Sequence, residues 1–90
     1  MNNPYNTARA QKIMDRIFQK AGIGRIEVKA ANVINLPAME ESLVDARLKE
    51  ATLTLDEIKR IEKEAEREHL VLFSVRGIGS DLRLSFYWKW

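Results

Sequence analysis

The sequence predicts an α+β fold: a single small domain whose helices pack on a small antiparallel sheet ending in a C-terminal β-hairpin. Three observations lead there. Apolar residues recur at helical spacing over residues 6–21, the capping box Thr54-Leu55-Asp56-Glu57 opens a second helix, and two alternating runs flank a glycine-containing turn at 77–81. A chain of 90 residues leaves room for one domain, 1–90, whose first five residues are expected to be flexible.

In the first helix Ala10, Ile13, Met14, Ile17, Phe18 and Ala21 line one face. Asn6 or Thr7 can cap its start by accepting a backbone N–H, and Gly22 supplies a left-handed stop. The run Arg25-Ile26-Glu27-Val28-Lys29-Ala30 then alternates charged and apolar residues, as a half-buried strand does. The alternation falters at Asn32-Val33, which predicts a bulge or an early end, and Pro37 marks a boundary because it cannot donate to a sheet.

Residues 38–51 pull two ways. Their composition favours helix, with Glu40 and Glu41 early and Arg47 and Lys49 late, as the helix dipole prefers. Yet Val44, Ala46 and Leu48 alternate with Asp45, Arg47 and Lys49, as in a strand. Helix is the preferred reading, and it gives the order helix, strand, helix, helix, strand, strand.

The capping box starts the next helix sharply, with Leu53 and Ile58 placed for a hydrophobic staple. That helix is expected to run to about His69 with Leu55, Ile58, Ile61 and Ala65 inward. In the two strands that close the chain, Val71, Phe73 and Val75 share one face, as do Leu82, Leu84, Phe86 and Trp88.

Several chemistries are disfavoured. Without cysteine there is no disulfide, thiolate nucleophile or Cys-ligated zinc. The one histidine, His69, ends an acidic helix, where the dipole favours a cation, and reads as structural rather than as a general base. Glu62, Glu64, Glu66 and Glu68 are spaced two apart, so they spread around a solvated helix instead of converging on a metal. No phosphate-loop or EF-hand pattern occurs. The protein is therefore read as a non-enzyme without cofactor or metal. Its longest apolar stretch is the four residues Leu70 to Phe73, and its N-terminus lacks the segments of a signal peptide, so no membrane partner and a cytoplasmic location are expected.

Charge is segregated although the net charge is only +2. Residues through Lys29 carry +4, residues 40–68 carry −4, and the tail carries +2. Arg9, Lys12, Arg16 and Lys20 recur three and four apart, which aligns them in a stripe suited to a phosphate backbone or an acidic protein surface. The last five residues hold four of the seven aromatics. There Trp90 is a candidate contact residue, and Arg76, Arg83, Tyr87 and Lys89 form a basic, aromatic mixture on the second sheet face that suits single-stranded nucleic acid.

With residues 38–51 helical, the element order resembles a winged helix, in which residues 55–69 would enter the major groove. That helix carries six acids against four bases, so phosphate would repel it. The segment Ala21-Gly22-Ile23-Gly24-Arg25-Ile26-Glu27-Val28 resembles the helix-to-strand junction of prokaryotic KH domains in small-subunit ribosomal proteins. The resemblance covers eight residues, the RNA-clamping G-x-x-G loop is absent downstream, and no RNA-binding role is carried over from it.

Three functions remain. The first is a small binding protein whose basic stripe docks on an acidic protein surface or a nucleoprotein complex. Its size and lack of a cofactor motif are similar to those of phage- or plasmid-encoded inhibitors that block host machinery. The second is direct DNA or RNA binding, and the third a structural homodimer joined through the C-terminal strand as a free edge.

Overall fold

The computed structural model describes residues 6–89. Its elements are α1 (Thr7–Lys20), β1 (Val28–Leu36), a single 3-10 turn (Pro37–Met39), β2 (Glu41–Leu48), α2 (Leu55–Arg67), β3 (Leu70–Ile78) and β4 (Asp81–Lys89). The four strands form one sheet in the order β1-β2-β4-β3, every neighbouring pair antiparallel. α1 lies over β1 and α2 over β3, on the same side of the sheet, and they bury one core against it. The expected α+β class and the closing hairpin are both present.

α1 begins as its sequence dictates. Asn6 is extended and its side chain accepts a bond from the Arg9 amide at 2.8 Å, while Gly22 takes a left-handed φ of 76° just after the helix. Ala10, Ile13, Met14, Ile17 and Phe18 are the buried face. Gln11, on the flank of that face, does something periodicity does not announce. Its amide donates to the Val28 carbonyl at 2.9 Å and accepts from the Ala30 amide at 2.8 Å, standing in for a strand along the outer edge of β1.

The segment 41–48 is a strand, not the helix that its composition favours. Ser42, Val44, Ala46 and Leu48 are wholly buried and alternate with more exposed residues. Pairing with β1 on one side and β4 on the other supplies hydrogen bonds that outweigh propensities of a few tenths of a kcal/mol per residue. No helix-turn-helix is formed, and the winged-helix order falls with it. β1 starts three residues later than Arg25 and runs to Leu36 through a bulge between Ala31 and Ile34, where Asn32 takes a φ of 50°.

α2 has both halves of its capping box. The Thr54 hydroxyl accepts from the Glu57 amide at 3.1 Å, and Glu57 Oε1 accepts from the Thr54 amide at 2.9 Å. Its buried positions are Glu57, Ile61 and Ala65, with Ile58 half-buried. Leu55, expected inward, is exposed instead, because the capped first turn directs the first helical position away from the sheet. Glu57 takes the inward place, and its Oε2 lies 2.8 Å from Arg25 Nη1 in the loop after α1.

β3 carries a bulge at Leu72–Ser74, so Val75 falls opposite Leu84 and parts company with Val71 and Phe73. Val71, Phe73 and Val75 therefore do not share one face. Leu70 and Leu72 point to the core instead. β4 behaves as its alternation implies: Leu84 and Phe86 are wholly buried, and Leu82 and Trp88 pack at the core margin. However, β4 is an interior strand, paired on both sides, so the expected free edge for a homodimer is not there.

Two outcomes follow from these contacts. Phe86→Ala empties the centre of the sheet's buried face and is expected to cost about 3–5 kcal/mol in urea unfolding. Glu57 is held down from 4.5 to about 2, first by its hydrogen bond to Arg25 and then by the Thr54 backbone bond. A depressed carboxylate stabilises the fold above its unfolded value and loses that contribution as the pH falls toward the folded one. Glu57→Gln is accordingly less stable than wild type at neutral pH, and the gap closes between about 4.5 and about 2 in thermal unfolding across that range.

Candidate functional site

Both helices cover one face, and among the described residues no element covers the other face of the sheet. Antiparallel registers run continuously across the four strands, so residues of that face fall in transverse rows. One row is Lys29, Arg47, Arg83 and Arg76, one cation from each strand. At ~4.8 Å per strand the row spans roughly 14 Å.

The next row is Ala31, Asp45, Ser85 and Ser74, three of them small. Beyond it lie Ile34, Leu43, Tyr87 and Val71, where Phe73 leans from the bulge against Tyr87 with ring centroids 5.9 Å apart. The open face thus has a cationic margin, a floor of short side chains and an apolar, aromatic margin. Lys89 sits opposite Glu41 beyond the aromatic row.

The cations are not equivalent. Arg47 donates twice to Asp81 Oδ2, at 3.0 and 2.8 Å, and Asp81 Oδ1 accepts from the Glu50 amide at 3.0 Å. The Glu50 backbone bond first, and the Arg47 side chain second, hold the Asp81 carboxyl below its usual range. Arg83 Nη1 stands 4.0 Å from Asp45 Oδ2, while the Ser85 hydroxyl donates to Asp45 Oδ1 at 2.7 Å. The Arg83 Nε has no hydrogen-bond partner among the described residues. Lys29 and Arg76, at the two ends of the row, form no ion pair among the described residues. A hollow of about 330 Å³ opens between Lys29, Arg47, Lys49 and Glu27 at one corner of this face.

Of the sequence-derived candidates, Arg76, Arg83, Tyr87 and Lys89 do come together here. Lys29, Arg47 and Phe73 join them without having been singled out. Arg47 was hidden because 41–48 reads as helix, and Phe73 because its bulge is invisible to strict alternation. Lys29 was legible as a strand residue, but only the register places it in line with the arginines.

The helix stripe is divided. Arg16 forks onto Glu68 of α2, Nε to Oε2 at 2.6 Å and Nη2 to Oε1 at 2.9 Å, and this contact lowers the Glu68 pKa. Glu68 is thus a bridge between helices, not merely a solvated residue. The Arg9 guanidinium lies 5.2 Å from the Trp88 ring centroid. Lys12 and Lys20 remain exposed. Trp90 and the first five residues lie outside the described residues.

No protein-family model matches the chain, and no curated protein or solved structure matches it either. Among the described residues no helix is long and apolar enough to cross a membrane, and no group of three or more His, Asp or Glu is placed to hold a metal ion.

Arg16 and Glu68 are both partly exposed, so their coupling is expected to be small. A double-mutant cycle with Arg16→Ala and Glu68→Ala, read by urea unfolding, should give about 0.2–1 kcal/mol.

Proposed function

We propose that this protein is a non-enzymatic binding module whose open sheet face takes single-stranded nucleic acid. The observation that carries the reading is the pairing of two rows on one uncovered face: four cations from four strands on one side, and the Phe73–Tyr87 aromatic pair on the other. Single strands need both parts. Their phosphates are drawn by a positive margin, and their bases, unpaired, gain about 1–3 kcal/mol each by stacking on aromatic rings. Between the rows Ala31, Ser74 and Ser85 are short, and the Asp45 carboxylate accepts from the Ser85 hydroxyl and faces Arg83. A sheet presenting aromatics to bases is a known solution to single-strand recognition, which supports the reading as an architectural analogy.

Duplex DNA suits this face less well. Its bases are stacked away from Tyr87, and a flat sheet enters neither groove as a helix does. The α1 stripe has no exposed aromatic pair beside it comparable to Phe73–Tyr87, and its Arg16 is paired with Glu68.

Anisotropy titration of labelled single-stranded DNA, single-stranded RNA and duplex DNA tests the proposal. Single strands are expected to bind more tightly than duplex, with a log–log salt slope of roughly −1.4 for the two phosphates that Lys29 and Arg76 can neutralise. Tyr87→Ala should weaken binding about tenfold while leaving the salt slope unchanged, and Arg76→Ala should reduce the slope. Equal affinity for duplex and single strands, or binding indifferent to Tyr87→Ala, would overturn it. Absence of binding at low salt would redirect attention to an acidic protein surface, with Lys12 and Lys20 as the residues to substitute.

A further inference from the structure

We infer that β3 is a self-association edge, through which two copies of this chain join their sheets into one antiparallel sheet of eight strands. The sheet has two edges, and they are treated differently. At β1 the Gln11 side chain bonds both the Val28 carbonyl and the Ala30 amide, so α1 occupies two backbone groups at the start of that edge, and a bulge between Ala31 and Ile34 breaks the rest of it. At β3 no side chain among the described residues makes a comparable bond, although the strand runs nine residues from Leu70 to Ile78.

β3 carries few of the features that keep an edge solitary: it contains no proline and no lysine, and its protection is limited to the bulge at Leu72–Ser74 and the single charge of Arg76. Of the seven exposed large hydrophobic residues described, four lie on it: Val71 at 40%, Phe73 at 53%, Val75 at 38% and Ile78 at 46% exposure. A long apolar edge with unpaired backbone groups calls for an antiparallel partner.

The strand is its own complement. A two-fold axis through the bulge at Phe73–Ser74 sets Leu72 against Val75 on the helical side, and Val71 against Arg76 on the open side, in both directions. Residues of like face meet, as a two-fold perpendicular to the sheet requires. In this register the two copies of Arg76 stand four rows apart, roughly 14 Å at ~3.4 Å per residue. That exceeds the ~8 Å screening length of physiological salt, so the one charge of the strand does not oppose pairing. The axis keeps both helical layers on one side and both open faces on the other.

Sedimentation equilibrium of wild type across the micromolar to millimolar range tests this independently of any nucleic acid. The expected mass approaches twice 10.4 kDa at the upper end. The double variant Val71→Lys/Val75→Lys should sediment as a monomer with an unchanged circular dichroism spectrum. Ile34→Lys on the opposite edge strand should leave the dimer intact. A second readout uses wild type alone: backbone amides of 70–78 should exchange more slowly at high than at low concentration. A wild type that stays monomeric throughout, a dimer that survives the β3 variant while folded, or β3 amides indifferent to concentration would each overturn the inference.

Discussion

The uninterrupted pairing of β2 with β4 is the constraint on which the rest depends. Eight residues of each strand meet without a shift, from Glu41 opposite Lys89 to Leu48 opposite Leu82. A strand alternates its side chains between faces, so this one register sends Val44, Ala46, Leu48, Leu84 and Phe86 to the core together. The same register commits Leu43, Asp45, Arg47, Arg83, Ser85 and Tyr87 to the other face. The two bulges are confined to the outer strands, where each redirects a segment without disturbing the centre.

The helices are fixed to this sheet by contacts at both ends of their own interface. Arg16 grips Glu68 near the end of α2, and Arg25 grips Glu57 at its start. Exposed ion pairs of this kind add little stability, and the apolar cluster beneath them supplies most of the favourable free energy. What the pairs contribute is position. They tie α2 to α1 and to the loop after it at two separate points.

An uncovered face costs an α+β domain some of its potential burial, and here it is not simply polar. Ile34, Val71 and Phe73 remain exposed beside Tyr87. Arg83 keeps a buried donor without a partner between Asp45 and the cationic row.

Much of the architecture is legible in the order of residues alone. The apolar spacing of α1, the cap at Asn6, the box at Thr54–Glu57 and the alternation of β4 depend on neighbours a few residues away, and local physics suffices to read them. What the sequence could not determine is non-local. Residues 41–48 carry both a helical composition and a strand-like alternation, and only the hydrogen bonds offered by β1 and β4 choose between them. The strand order places β4 inside and β3 outside, against the expectation that the last strand is an edge. The row of Lys29, Arg47, Arg83 and Arg76 draws on residues as far apart as 29 and 83, brought into line by three registers. Periodicity assigns a residue to a face, but pairing energy between distant segments decides which faces adjoin.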